Sequence, residues 1–168
     1  MKKKIFSLLV LLAAAVTGAW AATTVNFENG VIPTDWNNSE TYPWAITDGN
    51  GGKCLKNGNS GVQASTSEIS VTVTYYQDGT FEFDAECCGE GTSTAYDKCQ
   101  FLIDGAEQFT YGAQVSGWNH YSYDITAGEH TFTWKYSKDS SVNPTGDYTT
   151  AWLSKGSISK TSRTVISP

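Results

Sequence analysis

The chain has 168 residues, of which 17 are acidic and 11 basic, giving a net charge of −6 at pH 7. This excess of acid excludes DNA, RNA and anionic membrane surfaces as partners, because phosphate binding needs a basic stripe that displaces counterions. Aromatic residues make up 13% of the chain, so a single domain of this length can bury a substantial core.

The N-terminus carries the three-part pattern of a secretory signal peptide. Lysines at positions 2–4 precede an apolar run over residues 5–16, and Ala-Trp-Ala at 19–21 supplies small residues around a cleavage point. The apolar run is shorter than the roughly 20 residues that a membrane-spanning helix needs. We therefore predict a signal peptide over residues 1–21, export to the cell surface or the extracellular space, and no membrane insertion.

Alternation of apolar and polar residues predicts β-strands along the rest of the chain. A first strand is expected at Val25 and Phe27, followed by a long loop. The later alternating segments lie near residues 69–75, 81–87, 99–103, 121–125 and 130–136, with a last apolar segment at 152–158.

Glycine-containing turns separate several of these segments. Asp-Gly pairs stand at 78–79 and 104–105, and Ala-Gly stands at 127–128; glycine accepts the positive φ that tight hairpins require. We predict an all-β fold, a jelly-roll β-sandwich of two antiparallel sheets. It forms one domain over residues 22–158, followed by a short polar tail at 159–168.

Four cysteines lie beyond the predicted signal peptide, and an even number in an exported protein favours disulfides over metal ligation. If the strands around Cys87 and Cys99 form a hairpin centred near residue 93, these two cysteines face each other. Cys54 is then left to pair with Cys88, because a ring joining adjacent cysteines would be strained.

Several short motifs occur in a characteristic order. They are Phe27-Glu28-x-Gly30-x-x-Pro33-x-x-Trp36, Ile103-Asp104-Gly105, Ala127-Gly128-x-His130-x-x-x-Trp134-x-Tyr136-x-Lys138-Asp139, and Asp147 ahead of Ala151-Trp152-Leu153. Their order and spacing resemble the cleaved-adhesin or MAM-like jelly-roll domains of secreted bacterial surface proteins, including the haemagglutinin regions of gingipain-type proteases. The resemblance covers residues 25–158 and implies a non-catalytic module that adheres to host or matrix proteins or glycans.

The resemblance also bears on calcium. Related jelly rolls use an acidic residue of the first strand, here Glu28, together with an aspartate after the last-strand tryptophan. Ser154 stands at the second position in this chain, which removes one charge from a site for an ion that prefers several carboxylate oxygens. Glu28 is therefore the candidate calcium ligand, and the predicted function requires no cofactor.

Candidate catalytic groups are few. His120 and His130 could act as acid/base groups, because histidine is the usual choice near neutral pH, but His130 shares a strand face with core residues. Glu82, Asp84 and Glu86 form an acidic row with a spacing that a glycosidase could use, although any half-buried strand with acidic outer positions produces the same row. No nucleophile elbow, zinc motif or phosphate loop is present, so we predict no catalytic residues.

The aromatic residues fall into two groups. Those that match the family motifs are assigned to the core: Trp36, Trp134 and Trp152. Those in segments rich in Pro, Gly, Asn and Ser are candidates for ligand binding: Trp44, Tyr111 and Trp118. Exposed rings beside small polar groups suit an amphipathic ligand such as a sugar, and a shared surface would favour binding.

Two functions therefore stay open at the level of sequence. The first is a secreted binding module for carbohydrate or for an extracellular protein. The alternative is a secreted glycoside hydrolase, or a similar hydrolase, that uses the acidic row. A groove between paired carboxylates would favour the hydrolase, and an acidic outer face with an exposed ring would favour the binding module.

Overall fold

The computed structural model describes residues 27–87, 96–111, 115–141 and 151–154. The predicted signal peptide, the polar tail, Cys88 and Asp147 lie outside these ranges. None of the described residues forms a helix long and apolar enough to cross a membrane.

Ten β-strands make up the described chain. In order they are β1 (Trp36–Asn38), β2 (Ala45–Gly49), β3 (Gly52–Lys56), β4 (Thr66–Tyr75), β5 (Gly79–Cys87), β6 (Lys98–Ile103), β7 (Ala106–Tyr111), β8 (Val115–Ile125), β9 (Gly128–Ser137) and β10 (Ala151–Ser154). They form two five-stranded antiparallel sheets. Sheet I has the strand order β1-β4-β9-β6-β7, and sheet II has the order β2-β3-β10-β5-β8.

The two sheets pack face to face, which confirms the predicted all-β jelly-roll sandwich. β4 illustrates why the sequence folds in this way. Its odd-numbered residues from Ser67 to Tyr75 are buried, while the even-numbered residues between them face outward. β4 pairs with β9 over ten residues, and Thr72 and Thr131 add a 2.9 Å hydroxyl contact on the outer side.

Aromatic rings from both sheets fill the core. Phe81 of sheet II stacks on Phe132 of sheet I with ring centroids 3.6 Å apart, and Phe83 lies 4.6 Å from Phe101. Trp36 stacks on Trp134 at 5.7 Å, so two of the three tryptophans assigned to the core are buried there. Burying each such ring contributes about 2–3 kcal/mol.

The disulfide between Cys87 and Cys99 is confirmed, with a Cα–Cα distance of 6.1 Å. The expected hairpin around it is wrong, because β5 belongs to sheet II and β6 to sheet I. The bond therefore ties the two layers of the sandwich together.

The second predicted disulfide is wrong, since Cys54 is a buried free thiol. In the sheet, Cys54 of β3 is paired with Ser154 of β10, which is in turn paired with Asp84 of β5. β10 therefore separates β3 from β5, by two strand spacings of about 9.5 Å in total. The Cys54 thiol instead contacts the Thr47 carbonyl at 3.6 Å.

Candidate ligand-binding face

The outer face of sheet II carries the acidic row of β5. Phe81, Phe83 and Ala85 point into the sandwich and are buried, so the residues between them point outward and are half-buried: Glu82, Asp84 and Glu86. β8 pairs antiparallel with β5 and brings a second polar row beside the first. We call these outward residues of β5 and β8 the β5–β8 face.

His120 is the centre of this face. It pairs with Asp84 in the sheet register, and its Nδ1 lies 2.8 Å from Asp84 Oδ1. On the other side of the ring, Nε2 lies 4.0 Å from Glu82 Oε1. Ser122 donates a hydrogen bond to that same Glu82 oxygen at 3.2 Å. Two carboxylates therefore bracket one imidazole, whose side chain is 61% exposed.

Trp118 lies at the end of the β5–β8 face. It precedes His120 by two residues and lies at a β-bulge, where the register shifts between the Ala85–Asn119 and Cys87–Val115 pairs. Neither the core cluster nor the residues packed against it include Trp118. The Trp118 side chain is half-buried. Gly117, at φ 96°, donates its backbone N–H to Glu86 Oε1 at 3.0 Å, which fixes the strand beside the ring.

The structure contradicts the prediction for Trp44. This residue is 2% exposed and belongs to the core cluster. Asn38 holds it there: Trp44 N–H donates to Asn38 Oδ1 at 2.8 Å, and Asn38 Nδ2 donates to the Trp44 carbonyl at 2.9 Å. Both backbone polar groups of Trp44 are thus satisfied by one amide, so the loop can carry its ring into the core.

Ser67 of β4 fixes the backbone next to Trp44 through two further hydrogen bonds. Ser67 donates its hydroxyl to the Tyr42 carbonyl at 2.5 Å and accepts the Gly58 N–H at 3.1 Å. A Cβ atom at Gly58 would lie 2.2 Å from the Pro43 carbonyl oxygen, so only glycine fits this contact.

The three predicted ring residues do not form one exposed group, because Trp44 is buried in the core. Tyr111 ends β7 at the edge of sheet I, paired in register with Cys99; its side chain lies outside the described residues. Trp118 belongs to sheet II, and Trp44 is in the core. Trp118 is the candidate whose described side chain lies outside the core, and Tyr111 stays a prediction.

His130 joins two turns. Its Nδ1 lies 2.7 Å from Asp104 Oδ2, and its Nε2 lies 3.0 Å from the Thr126 carbonyl. Asp104 also accepts the Thr131 N–H at 2.7 Å. Burial opposes ionisation of Asp104, but the hydrogen bonds from Thr131 and His130, aided by the charge of His130, outweigh it and lower the pKa of Asp104. These contacts give His130 a structural role.

Glu28 is fixed by the β2–β3 turn. Its Oε1 accepts the Lys53 N–H at 3.0 Å, and a Cβ atom at Gly52 would lie 2.2 Å from that oxygen. The neighbouring Asp48 is engaged by the Lys53 ammonium at 2.6 Å. Among the described residues no group of three or more His, Cys, Asp or Glu side chains gathers for a metal ion. Calcium at Glu28 stays a prediction.

Sequence reasoning missed how His120, Ser122 and the acidic row come together. β5 and β8 are separated by two strands along the chain, so their pairing cannot be read from local alternation. Asn38 was also missed, since an asparagine in a polar segment gives no sign of the backbone that it will hold.

Comparison with known proteins finds similarity among solved structures. No protein-family profile matches the sequence, and no curated protein matches it either. Among solved structures, the K3 cleaved adhesin domain of Lys-gingipain from Porphyromonas gingivalis is similar, with a TM-score of 0.56 and 13% identity over 81% of this chain and 97% of that chain.

Two other solved structures show the same likeness. The CBM22-1 xylan-binding domain of Paenibacillus barcinonensis Xyn10C has a TM-score of 0.52 and 13% identity, over 84% of this chain and 94% of that one. The secreted serine protease VesC from Vibrio cholerae has a TM-score of 0.55 and 16% identity, over 78% of this chain but only 25% of that one. The resemblance to cleaved adhesin domains is confirmed at the level of the fold.

Proposed function

We propose that the protein is an exported, non-catalytic binding module that recognises glycans through the β5–β8 face. The observation that carries the proposal is the half-buried Trp118 ring, which is not part of the core cluster and precedes His120 by two residues. The neighbouring Gly117 N–H donates to the outward Glu86 of β5. An aromatic ring can cover the apolar side of a pyranose, while carboxylate, imidazole and hydroxyl groups hydrogen-bond its hydroxyls.

The rigidity of the face favours binding. β5 and β8 pair from Gly79 with Ile125 to Ala85 with Asn119, and their inward residues are anchored in the aromatic core. Ser122 and His120 already hold the carboxylates in place. A ligand therefore meets groups that are oriented before it arrives, so less side-chain entropy is lost on binding.

The similar solved structures support the same class of function. One is described as a xylan-binding domain and another as a cleaved adhesin domain. Their sequence identity to this chain is too low to transfer a ligand. The proposal therefore names carbohydrate as the ligand class, with an extracellular protein surface as the outcome if glycans fail.

Contacts within the acidic row argue against the hydrolase alternative. A glycosidase keeps the space between its two carboxylates, roughly 5–10 Å, open for the sugar and water. Here the His120 ring lies between Asp84 and Glu82, in contact with the first and 4.0 Å from the second. The side chain of His120 bridges this pair, which favours binding over cleavage by these two carboxylates.

The proposal includes export of the protein to the extracellular space. The signal-peptide pattern and the oxidised Cys87–Cys99 bond both suit an extracellular location. A quarter of the secreted protease VesC is similar in fold to this chain, which supports the same location. N-terminal sequencing of material from the culture medium tests this part, and a mature chain that begins at Ala22 is expected.

A glycan array with the purified mature chain tests the binding itself. We expect retention of a set of neutral glycans by the wild type and a loss of at least tenfold in affinity for Trp118→Ala. Tyr76→Ala is the matched control, because Tyr76 is a 60% exposed ring outside the β5–β8 face. Equal losses in both variants, or no binding to any glycan, would overturn the proposal.

The same array separates the remaining alternatives. Repeating it with calcium and then with chelator tests the calcium prediction, since loss of binding in chelator that Glu28→Gln reproduces would support a site there. Incubation of the bound glycans followed by a reducing-end assay tests hydrolysis. Release of new reducing ends that Asp84→Asn abolishes would establish the hydrolase instead.

A further inference from the structure

Lys138 and Asp97 form an ion pair that is completely buried. Asp97 stands directly before β6 and Lys138 directly after β9, and these strands pair in sheet I with Lys98 opposite Ser137. The Lys138 ammonium contacts Asp97 Oδ2, and the side chains of both residues have 0% exposure. The fold therefore holds a primary amine against a carboxyl group where bulk water does not reach them.

Burial makes the charged form of this pair unfavourable. Two ions that leave water lose their hydration, and their mutual attraction restores only part of it. Transfer of one proton from the ammonium to the carboxylate removes both charges and leaves a neutral amine beside a carboxylic acid. These two groups are the nucleophile and the electrophile of amide formation.

Two hydrogen-bond donors contact the oxygens of the Asp97 carboxyl group. The Asp139 backbone N–H donates to Oδ1 at 3.2 Å, and the Tyr136 hydroxyl donates to Oδ2 at 3.5 Å. A fixed backbone N–H stabilises negative charge that develops on an oxygen during attack at its carbon. Oδ1 is therefore placed to carry the charge of a tetrahedral intermediate, and Oδ2, which the Lys138 nitrogen contacts, is placed to leave.

We propose that Lys138 and Asp97 are joined by an intramolecular amide bond between Nζ and Cγ. The Nζ lone pair attacks Cγ, and the Cγ–Oδ2 bond then breaks with release of one water. Two of the three ammonium protons leave with that water and the third stays on the amide nitrogen, so the reaction needs no oxidant, reductant or co-reactant. The product carries no charge, which removes the cost of burying two ions.

The position of the two groups favours the reaction. Groups held in a reactive geometry behave as if they were present at about 10⁵–10⁸ M, and the exclusion of water opposes hydrolysis of the amide. The bond fastens β6 to β9 within sheet I, two residues from Cys99, whose disulfide ties sheet I to sheet II. Two neighbouring covalent links then hold this part of the sandwich together.

A second lysine–aspartate pair provides an internal control. Lys53 Nζ lies 2.6 Å from Asp48 Oδ1, but the two side chains are 38% and 85% exposed. Water solvates both ions there, so neither proton transfer nor loss of water is favoured. The proposal therefore distinguishes two pairs of the same residue types by their burial.

Intact-mass spectrometry of the purified chain tests this directly, after reduction of the disulfide and with the first residue fixed by N-terminal sequencing. We expect the wild type to lie below the mass calculated from its sequence by one water, about 18 Da. Lys138→Arg should match its calculated mass, because the amine is gone. Lys53→Arg is the matched control and should keep the deficit.

A tryptic digest of the wild type gives a second measurement, which serves by itself if Lys138→Arg does not fold. Fragmentation should identify a branched peptide that joins Asp97 to Lys138. A wild type that stays at its calculated mass after prolonged incubation in the folded state, or a digest in which these two residues are unlinked, would overturn the proposal. So would a deficit that persists in Lys138→Arg, because an aspartyl imide at Asp97 loses the same water without the lysine.

Discussion

Trp44 and Trp118 lie in segments of similar composition, yet the fold treats them differently. Both have asparagine, glycine, proline or serine close by, and both were expected to be partly exposed. Trp44 is 2% exposed because Asn38 satisfies its backbone N–H and carbonyl. Trp118 lies at a β-bulge of the edge strand β8, and its half-buried ring is not part of the core cluster. The polarity of neighbouring residues therefore does not predict whether an aromatic ring is buried, because burial also depends on the partners of its backbone N–H and carbonyl groups.

Removal of the Trp44 ring should have the largest effect. Trp44→Ala leaves a cavity in the core, and we expect a loss of about 3–5 kcal/mol in the free energy of unfolding. The midpoint of urea denaturation measures it. A loss below 1 kcal/mol would mean that the ring is not part of the core.

Removal of the Asn38 amide should have the second-largest effect on the free energy of unfolding. Asn38→Ala leaves the N–H and carbonyl of Trp44 without their partner, and we expect a loss of about 2–4 kcal/mol. Asn37→Ala is the matched control, because the neighbouring Asn37 is exposed and such changes stay within about 0.5 kcal/mol. Equal effects at the two asparagines would contradict the role given to Asn38.

The thiol of Cys54 reports on the same region without unfolding the whole protein. Burial, helped by the negative charge of Asp48 and opposed by Lys56 and Lys53, raises the pKa of Cys54 to about 11. We therefore expect very slow alkylation of the native protein at pH 8, because the thiolate is the reactive form.

Two variants should differ in their effect on the alkylation rate of Cys54. Asn38→Ala is expected to accelerate alkylation of Cys54, since the loosened loop leads directly into β2, which covers the thiol through Thr47. Trp118→Ala should leave the rate unchanged. Mass spectrometry measures the rate of Cys54 alkylation. Fast alkylation of the wild type would contradict the prediction, because it would show that the thiol is accessible.

The stability at acid pH tests the contacts of Asp104, in a region that contains neither Trp44 nor Trp118. The pKa of Asp104 is lowered in the folded protein, so its contribution to stability is present above the ordinary aspartate pKa and is lost as the pH falls through the folded value. Asp104→Asn should lower stability modestly at pH 7 and reduce the loss on acidification. Denaturation midpoints between pH 7 and pH 3 measure this, and parallel curves for the two proteins would refute it.

Trp118→Ala should have the smallest effect on stability. The half-buried ring is not part of the core cluster, so we expect a loss below about 1 kcal/mol, together with the loss of glycan binding. A fall of several degrees in the melting temperature would place the ring in the core and remove the contrast with Trp44.

Much of the fold could be predicted from local patterns. The alternation in β4 and β9 fixes which residues are buried, and the turns at Asp104-Gly105 and Ala127-Gly128 separate strands as expected. The Cys87–Cys99 pair was also predicted, although from a hairpin that does not exist. Less of the site could be predicted, because Asp84 and His120 are 36 residues apart and meet only through the pairing of β5 with β8.

The sequence by itself determined the β class, the acidic surface and the inward and outward sides of each strand, because these depend on neighbours one or two residues away. Tertiary structure decided which strands are neighbours, and with that which tryptophan is buried, which cysteine stays free and where imidazole meets carboxylate. Such contacts depend on register between distant segments, and side-chain alternation repeats every two residues, so it is compatible with many strand orders.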